Sequence, residues 1–177
     1  VVAGRATPIC NTPRMTLGNK PTDNGNFILT AAEKDELVAK EPVAAQFIHT
    51  YLGSEEFING NTRYCLWLKD ANPADLKKCP TILQRLQNIR EFRLKSTAKP
   101  TREKADTPQL FFFISQPTSA FLAIPEVSSE RRKYIPIGYL NADIIASNKL
   151  LVVPDATLYH FGVLTSAMHM AWMRQVT

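Results

Sequence analysis

Several features that would assign this chain to a common protein class are missing from its sequence. No apolar run approaches the roughly 20 residues that a membrane-spanning helix needs, which argues against a membrane protein. The first residues lack the charged and then apolar pattern of a secretory signal. The cysteines number only three, Cys10, Cys65 and Cys79, and no two of them form a CxxC pair. This usage predicts reduced thiols, and we therefore expect a cytoplasmic protein.

The usual motifs of catalysis are absent as well. The sequence has no GxGxxG or Walker loop to hold phosphates and no GxSxG turn to present a nucleophile. His49, His160 and His169 have no ligand spacing with one another or with the cysteines, which argues against a zinc site. The segment NPAD at 72–75 lacks the aromatic residue that an adenine methylase stacks on its flipped base. We therefore predict no catalytic residue, no metal site and no cofactor in this chain.

The composition favours a folded domain with a polyanionic partner. The 177 residues are 45% hydrophobic and carry a formal net charge of +5. That length and apolar content suit one globular domain, and we expect it to span residues 1–177. The chain opens on VVAGRAT, as though inside a strand, and closes on an apolar helix without a glycine cap. We therefore expect a segment excised from a longer polypeptide.

The local patterns predict an α+β fold, with helices in the N-terminal half, a mostly antiparallel mixed sheet in the C-terminal half and a closing helix. Thr30 with Glu33 is a capping-box pair, and Pro80 suits the first turn of a helix that reaches about Ser96. The segment PVAAQFIHTYL at 42–52 also reads as a helix. Strand-like runs follow residue 109, and a last helix is expected from about Thr165.

One basic stretch runs through the predicted helix and its trailing loop. Between residues 85 and 104 the acids are Glu91 and Glu103, against a larger set of cations: Arg85, Arg90, Arg93, Lys95, Lys99, Arg102 and Lys104. We expect Arg90 and Arg93 to contact DNA phosphates, because a one-signed helix face can follow a phosphate backbone. The alternative is an ordinary solvated helix face, and the stretch alone favours neither.

A second basic group is more specific. The segment SSERRKY at 128–134 places two hydroxyls beside three cations at the entry to a predicted strand. We predict phosphate contacts from Ser128, Ser129, Arg131, Arg132 and Lys133, and one arginine could instead bind guanine O6 and N7. The alternative is a surface turn in which Glu130 pairs with an arginine, and such a pair contributes little.

Several long segments, in this order along the chain, resemble the target-recognition region of MmeI-like, type IIL, DNA modification enzymes. They are GNKPTDNGNFILT, YLGSEEFINGNTRYCLWL, NIREFRLKS, VSSERRKYIPIGYL and LYHFGVLTSAMHMAWMRQV. In that family one polypeptide joins a DNA adenine-N6 methyltransferase to a recognition domain, often with a nuclease. The resemblance implies sequence-specific binding of double-stranded DNA in a bacterium or archaeon. It also implies that S-adenosylmethionine binds to a methyltransferase domain of the same polypeptide, upstream of this chain.

The resemblance further implies which residues read bases. The family's specificity positions fall on Glu126 and Asn148, with Lys149 beside the latter. Glutamate can accept from cytosine N4, asparagine can pair with adenine, and lysine can donate to guanine or to a phosphate. The alternatives are a loop carboxylate paired with Arg131 or Arg132, and a turn asparagine.

Two other functions remain open at the level of sequence. The chain could be a scaffold that docks on the catalytic domain through its apolar last helix and scarcely touches DNA. It could also be an enzyme on an unfamiliar fold, for which His160, His169 and Asp155 would be the candidates.

Overall fold

Helices in this computed structural model, which describes residues 10–176, begin where local side-chain chemistry supports them. The residue before the first helix, Thr30, forms the predicted capping box with Glu33, and Pro80 occupies the first turn of the longest helix. The expectation of a strand cut at residue 1 lies outside the described residues. The α-helices are α1 (Ala31–Lys40), α2 (Ser54–Asn59), α3 (Pro73–Leu76), α4 (Pro80–Leu94), α5 (Lys99–Glu103), α6 (Leu158–Leu164) and α7 (Ala167–Val176).

The strands are short and form two sheets. They are β1 (Thr16–Leu17), β2 (Ile28–Leu29), β3 (Ile48–Leu52), β4 (Arg63–Leu66), β5 (Phe121–Pro125), β6 (Gly138–Leu140), β7 (Ile145–Ala146) and β8 (Leu150–Pro154). The first sheet has the order β1-β8-β5-β6 and is antiparallel throughout. The second has the order β2-β4-β3-β7, in which β7 pairs with β3 in parallel. Each sheet therefore combines strands from both halves of the chain.

Strand β5 is buried on both faces and separates two apolar cores. Phe121 and Ala123 pack with Ala146 of the second sheet, whereas Leu122 and Ile124 pack towards α6. This alternation follows from the period of two in a β-strand. A third and larger core lies between the second sheet, α1 and α4.

The predicted α+β class is confirmed, but the strands are distributed differently from the prediction. Residues 42–52 form a 3-10 helix at Pro42–Phe47 and then β3, instead of one helix. The β-branched and aromatic residues of IHTYL favour a strand, and β3 pairs with β4 on one edge and with β7 on the other. The closing helix is confirmed, and it begins at Ala167.

The two sheets are joined at Asn19, which is completely buried. Its side-chain Nδ2 donates to Oε1 of Gln116 at 2.8 Å and to the carbonyl of Ala146 at 2.9 Å, and its Oδ1 accepts from the N–H of Ser115 at 2.9 Å. The preceding Gly18 permits the close approach, because a Cβ there would lie 2.3 Å from the carbonyl oxygen of Ser147. Asn19 thus holds β1, β7 and the segment before β5 together.

The structure corrects the prediction for Arg93. Its side chain is fully buried, and its guanidinium donates to five backbone carbonyls. The acceptors lie in two loops and are Pro21, Thr22, Lys104, Thr107 and Leu110. Burial lowers the pKa of the guanidinium, and the nearby Asp23 carboxylate opposes that effect. Arg93 cannot reach a phosphate from this position, because every direction of its guanidinium is occupied by protein.

Replacing Asn19 with alanine should strongly destabilise the fold. The change removes three side-chain hydrogen bonds in the interior, and we expect the free energy of unfolding to fall by roughly 2–4 kcal/mol. Urea unfolding followed by circular dichroism would measure it. Asn61→Ala, at an exposed loop position, is the matched control and should change stability by about 0.5 kcal/mol or less. Equal effects of the two substitutions would contradict the role given to Asn19.

Arg90 and Arg93, both on α4, should respond differently to replacement by lysine. Lysine has three donors on one atom and cannot reproduce the planar fork that binds the carbonyls around Arg93. We expect Arg93→Lys to lower the free energy of unfolding by roughly 2–4 kcal/mol and Arg90→Lys, on the exposed face, by about 0.5 kcal/mol or less. An Arg93→Lys protein as stable as wild type but weaker in DNA binding would restore the phosphate role.

Candidate nucleic-acid interface

Five of the predicted phosphate-binding residues lie in one exposed loop, residues 126–137, which joins β5 to β6; they are Ser128, Ser129, Arg131, Arg132 and Lys133. Residues 126–134 are all exposed. The N–H of Arg132 donates to the carbonyl of Ser129 at 3.0 Å, which closes a turn at the tip. Among the described residues, Glu130 forms no ion pair with Arg131 or Arg132, so the alternative of an internally neutralised turn is not supported. Instead of lying at a strand entry, the cations lie in a solvated loop, several residues before β6.

Helix α7 binds the backbone of the 126–137 loop. Nη2 of Arg174 donates to the carbonyls of Lys133 at 3.2 Å and Arg132 at 3.4 Å. Backbone carbonyls are therefore turned towards the helix, and the side chains of Arg132 and Lys133 stay in solvent. This arrangement presents positive charge on a loop whose backbone is anchored.

The predicted base-reading residues Glu126 and Lys149 are neighbours across β5 and β8. The N–H of Glu126 donates to the carbonyl of Lys149 at 3.0 Å, which extends the strand pairing by one step. Nζ of Lys149 lies 2.9 Å from Oε2 of Glu126, and both side chains are exposed. The partner of Glu126 is therefore Lys149 rather than the arginines considered from the sequence. An exposed pair of this kind contributes about 0–1 kcal/mol, so little free energy opposes its opening.

Asn148 occupies the tight turn between β7 and β8. The N–H of Leu150 donates to the carbonyl of Ser147 at 2.9 Å, which makes Asn148 and Lys149 the central residues of the turn. The N–H of Asn148 donates to the carbonyl of Asn19 at 2.9 Å. The side chain of Asn148 is half-buried, and its carboxamide forms no hydrogen bond with the residues that the structure describes. The backbone of Asn148 is thus fixed, while its side-chain carboxamide is available to a ligand.

A cleft of about 430 Å³ brings these segments together with α2. Its lining includes Glu126, Arg132 and Lys149, together with Ser54 and Arg63. The Ser54 hydroxyl donates to the carbonyl of Lys149. No sequence motif marks Ser54 or Arg63 as site residues, because the parallel pairing of β3 with β7 brings them to the turn from a distant part of the chain.

A buried carboxylate forms part of the wall of this cleft. Glu56 is 6% exposed. Its Oε2 accepts from the N–H of Gly53 at 2.8 Å, and its Oε1 lies 2.7 Å from Nε of Arg63. Burial raises the pKa of Glu56, but the hydrogen bonds from Arg63 and from the Gly53 N–H outweigh it, so the pKa stays below the ordinary value of 4.5. Glu56 is therefore ionised at neutral pH and holds one edge of the Arg63 guanidinium.

The two arginines predicted on α4 are not brought to this cleft. Arg90 is exposed on α4, which packs on the second sheet's core, and Arg93 is buried beneath it. No hydrogen bond or ion pair within residues 10–176 joins α4 to the 126–137 loop.

The histidines that would support an enzyme are occupied in local structure. Nδ1 of His160 accepts from the N–H of Thr157 at 3.0 Å and caps α6, and Nδ1 of His169 lies 2.7 Å from the carbonyl of Leu164. Nδ1 of His49 lies 3.2 Å from the carbonyl of Asp143. Among the described residues, no group of three or more histidine, cysteine, aspartate or glutamate side chains could hold a metal ion. Nor is any described helix long and apolar enough to cross a membrane.

Comparison with known proteins gives a consistent result. The family model described as "MmeI, target recognition domain" matches residues 1–177. A DNA methyltransferase A from Bacillus subtilis (strain 168) is 40% identical over 176 residues, which are 99% of this chain and 20% of that protein. A solved structure of the type IIL restriction-modification enzyme MmeI in complex with DNA is 46% identical, with a TM-score of 0.93. It is matched over 97% of this chain and 23% of that chain, so the present chain spans about a fifth of the length of these relatives. The chain belongs to the family of MmeI target recognition domains.

Proposed function

We propose that this chain is a single domain that recognises a specific sequence in double-stranded DNA for a DNA adenine-N6 methyltransferase. The observation that carries the proposal is the meeting of Glu126, Asn148 and Lys149 beside the exposed cations of the 126–137 loop. The names of the relatives support it, because one is a DNA methyltransferase and the other is an enzyme in complex with DNA.

Two kinds of contact divide the work in this proposal. The loop residues Ser128, Ser129, Arg131, Arg132 and Lys133 bind phosphates, and Arg90 adds a phosphate contact from α4. Phosphate contacts set the position of the duplex but carry no sequence information, whereas contacts to base edges do. Glu126 then accepts from cytosine N4, Asn148 binds adenine N6 and N7, and Lys149 donates to guanine or to a phosphate.

The Glu126–Lys149 pair fits this role. In the free protein each residue satisfies the other at 2.9 Å, so neither charge is left alone on the surface. On DNA, each side chain exchanges this weak partner for a base edge. A base that cannot supply the matching donor or acceptor leaves a charged group unpaired, and that penalty produces discrimination.

The chemistry of methyl transfer belongs to another part of the protein in this proposal. S-adenosylmethionine supplies the methyl group, but the residues of this chain do not form a binding site for that cofactor. The sequence has no glycine-rich loop, and the cleft beside Glu126 is lined mainly by charged and polar side chains. We therefore assign the cofactor and the catalytic residues to a methyltransferase domain outside residues 1–177, and we place the protein in the cytoplasm of a bacterium or archaeon.

One observation favours a second function, docking on that methyltransferase domain. Helices α6 and α7 expose large apolar side chains: Leu158 is 78%, Tyr159 76% and Met168 83% exposed. Single exposed apolar residues are normal on surfaces, whereas several on two consecutive helices favour a contact area. A docking module alone would bind duplex DNA weakly and without sequence preference.

Selection from a randomised duplex library tests the proposal. The protein, in its full natural length, is immobilised at low salt, and the retained duplexes are sequenced. We expect enrichment of a motif of several base pairs and an affinity that falls steeply as salt rises. Retention without an enriched motif would contradict sequence recognition, and no retention would favour the docking module.

Two charge reversals should separate the two kinds of contact. Glu126→Lys replaces an acceptor with a donor, and we expect it to change the base preferred at one position of the motif. Arg132→Glu, in the same loop, should weaken binding to all duplexes alike and reduce its salt dependence. The same selection, with titrations at several salt concentrations, measures both. If Glu126→Lys leaves the motif unchanged, Glu126 does not read a base.

A further inference from the structure

Arg63 lines the same cleft as Glu126 and Lys149, and the proposed function leaves it unused. Arg63 is the first residue of β4, and its side chain is 44% exposed. Its Nε is bound to Glu56, as described above, and its guanidinium carbon lies 5.7 Å from the centre of the Tyr51 ring. The Nε edge of the guanidinium is therefore held by Glu56, and Arg63 is among the residues that line the cleft.

The surroundings of Arg63 hold it more firmly than an exposed ion pair would. Glu56 is itself buried and is fixed by the N–H of Gly53, so the partner of Arg63 cannot move freely. A side chain at Gly53 would disturb this arrangement, because its Cβ would lie 2.9 Å from Oε2 of Glu56 and 3.6 Å from Nη2 of Arg63. An arginine held on a strand by a buried carboxylate loses little conformational freedom when it binds a ligand.

We propose that Arg63 is a further specificity-determining residue, which reads a guanine in the recognised sequence. With Nε bound to Glu56, the two terminal nitrogens remain to donate parallel hydrogen bonds to guanine O6 and N7. That bidentate contact is the commonest specific contact between proteins and DNA. The proposal rests on the proposed function, since it requires DNA to enter the cleft between α2 and the turn at Asn148.

Two ion pairs of different kinds line the cleft. Glu126 and Lys149 form a pair that opens easily, whereas Glu56 and Arg63 form a pair with a buried partner. The first pair can exchange its contacts as the base changes. The second keeps its contact and offers a fixed donor edge.

The test is the library selection on the full-length protein with Arg63→Lys. Lysine keeps the charge but loses the fork, so we expect the preference for guanine at one position to fall roughly 5- to 150-fold while the other positions are unchanged. The matched control is Arg85→Lys, an arginine that also pairs with a glutamate, Glu33 at 3.5 Å, but lies outside the cleft. It should keep the full motif. Urea unfolding of both proteins reports whether either change acts through folding.

A second variant keeps the inference testable if Arg63→Lys fails to fold. Glu56→Gln retains an acceptor for Gly53 but weakens the hold on Arg63, and we expect a smaller loss of preference at the same guanine. Uniform weakening across all sequences would overturn the base-reading role and indicate a phosphate contact. An unchanged motif and affinity in both variants would show that Arg63 does not contact the DNA. A wild-type protein that enriches no motif would instead refute the proposed function itself.

Discussion

The hydrogen bonds of Asn19 are the constraint on which the rest of the structure depends. Its amide joins β7 to the segment before β5, and its backbone N–H and C=O bind Ala146 and Asn148. The turn at Asn148 and Lys149 is therefore fixed by hydrogen bonds to a residue more than a hundred positions earlier in the chain. A buried amide with all these partners specifies one relative placement of the two sheets, since any slip would leave polar groups unsatisfied in the interior.

Buried charge has a comparable role in two other places. Arg93 binds carbonyls from two loops that apolar packing alone would not order, and Glu56 fixes Arg63 at the cleft. In both cases the charged group is compensated on every side, which is the condition for burial of a charge. The surface loop is the opposite case. Its arginines are left without acidic partners among the described residues, as suits groups that would meet phosphates.

Much of the local structure could be predicted from short patterns. The capping box at Thr30, the helix start at Pro80, the closing helix and the solvated SSERRK segment depend on neighbouring residues, and local chemistry decides them. The errors arose where distant partners decide. Residues 48–52 became a strand because β4 and β7 pair with both of its edges, and Arg93 is buried because two loops close over it.

The sequence by itself determined the α+β class, the likeness to the MmeI family and the exposure of the basic loop, because each follows from residue types close together along the chain. Only the tertiary structure decided that Glu126 pairs with Lys149, that the N–H of Asn148 binds the carbonyl of Asn19 and that Arg63 lines the same cleft. These juxtapositions come from long-range strand pairing, and its register is set by the packing of two sheets as a whole rather than by any short segment.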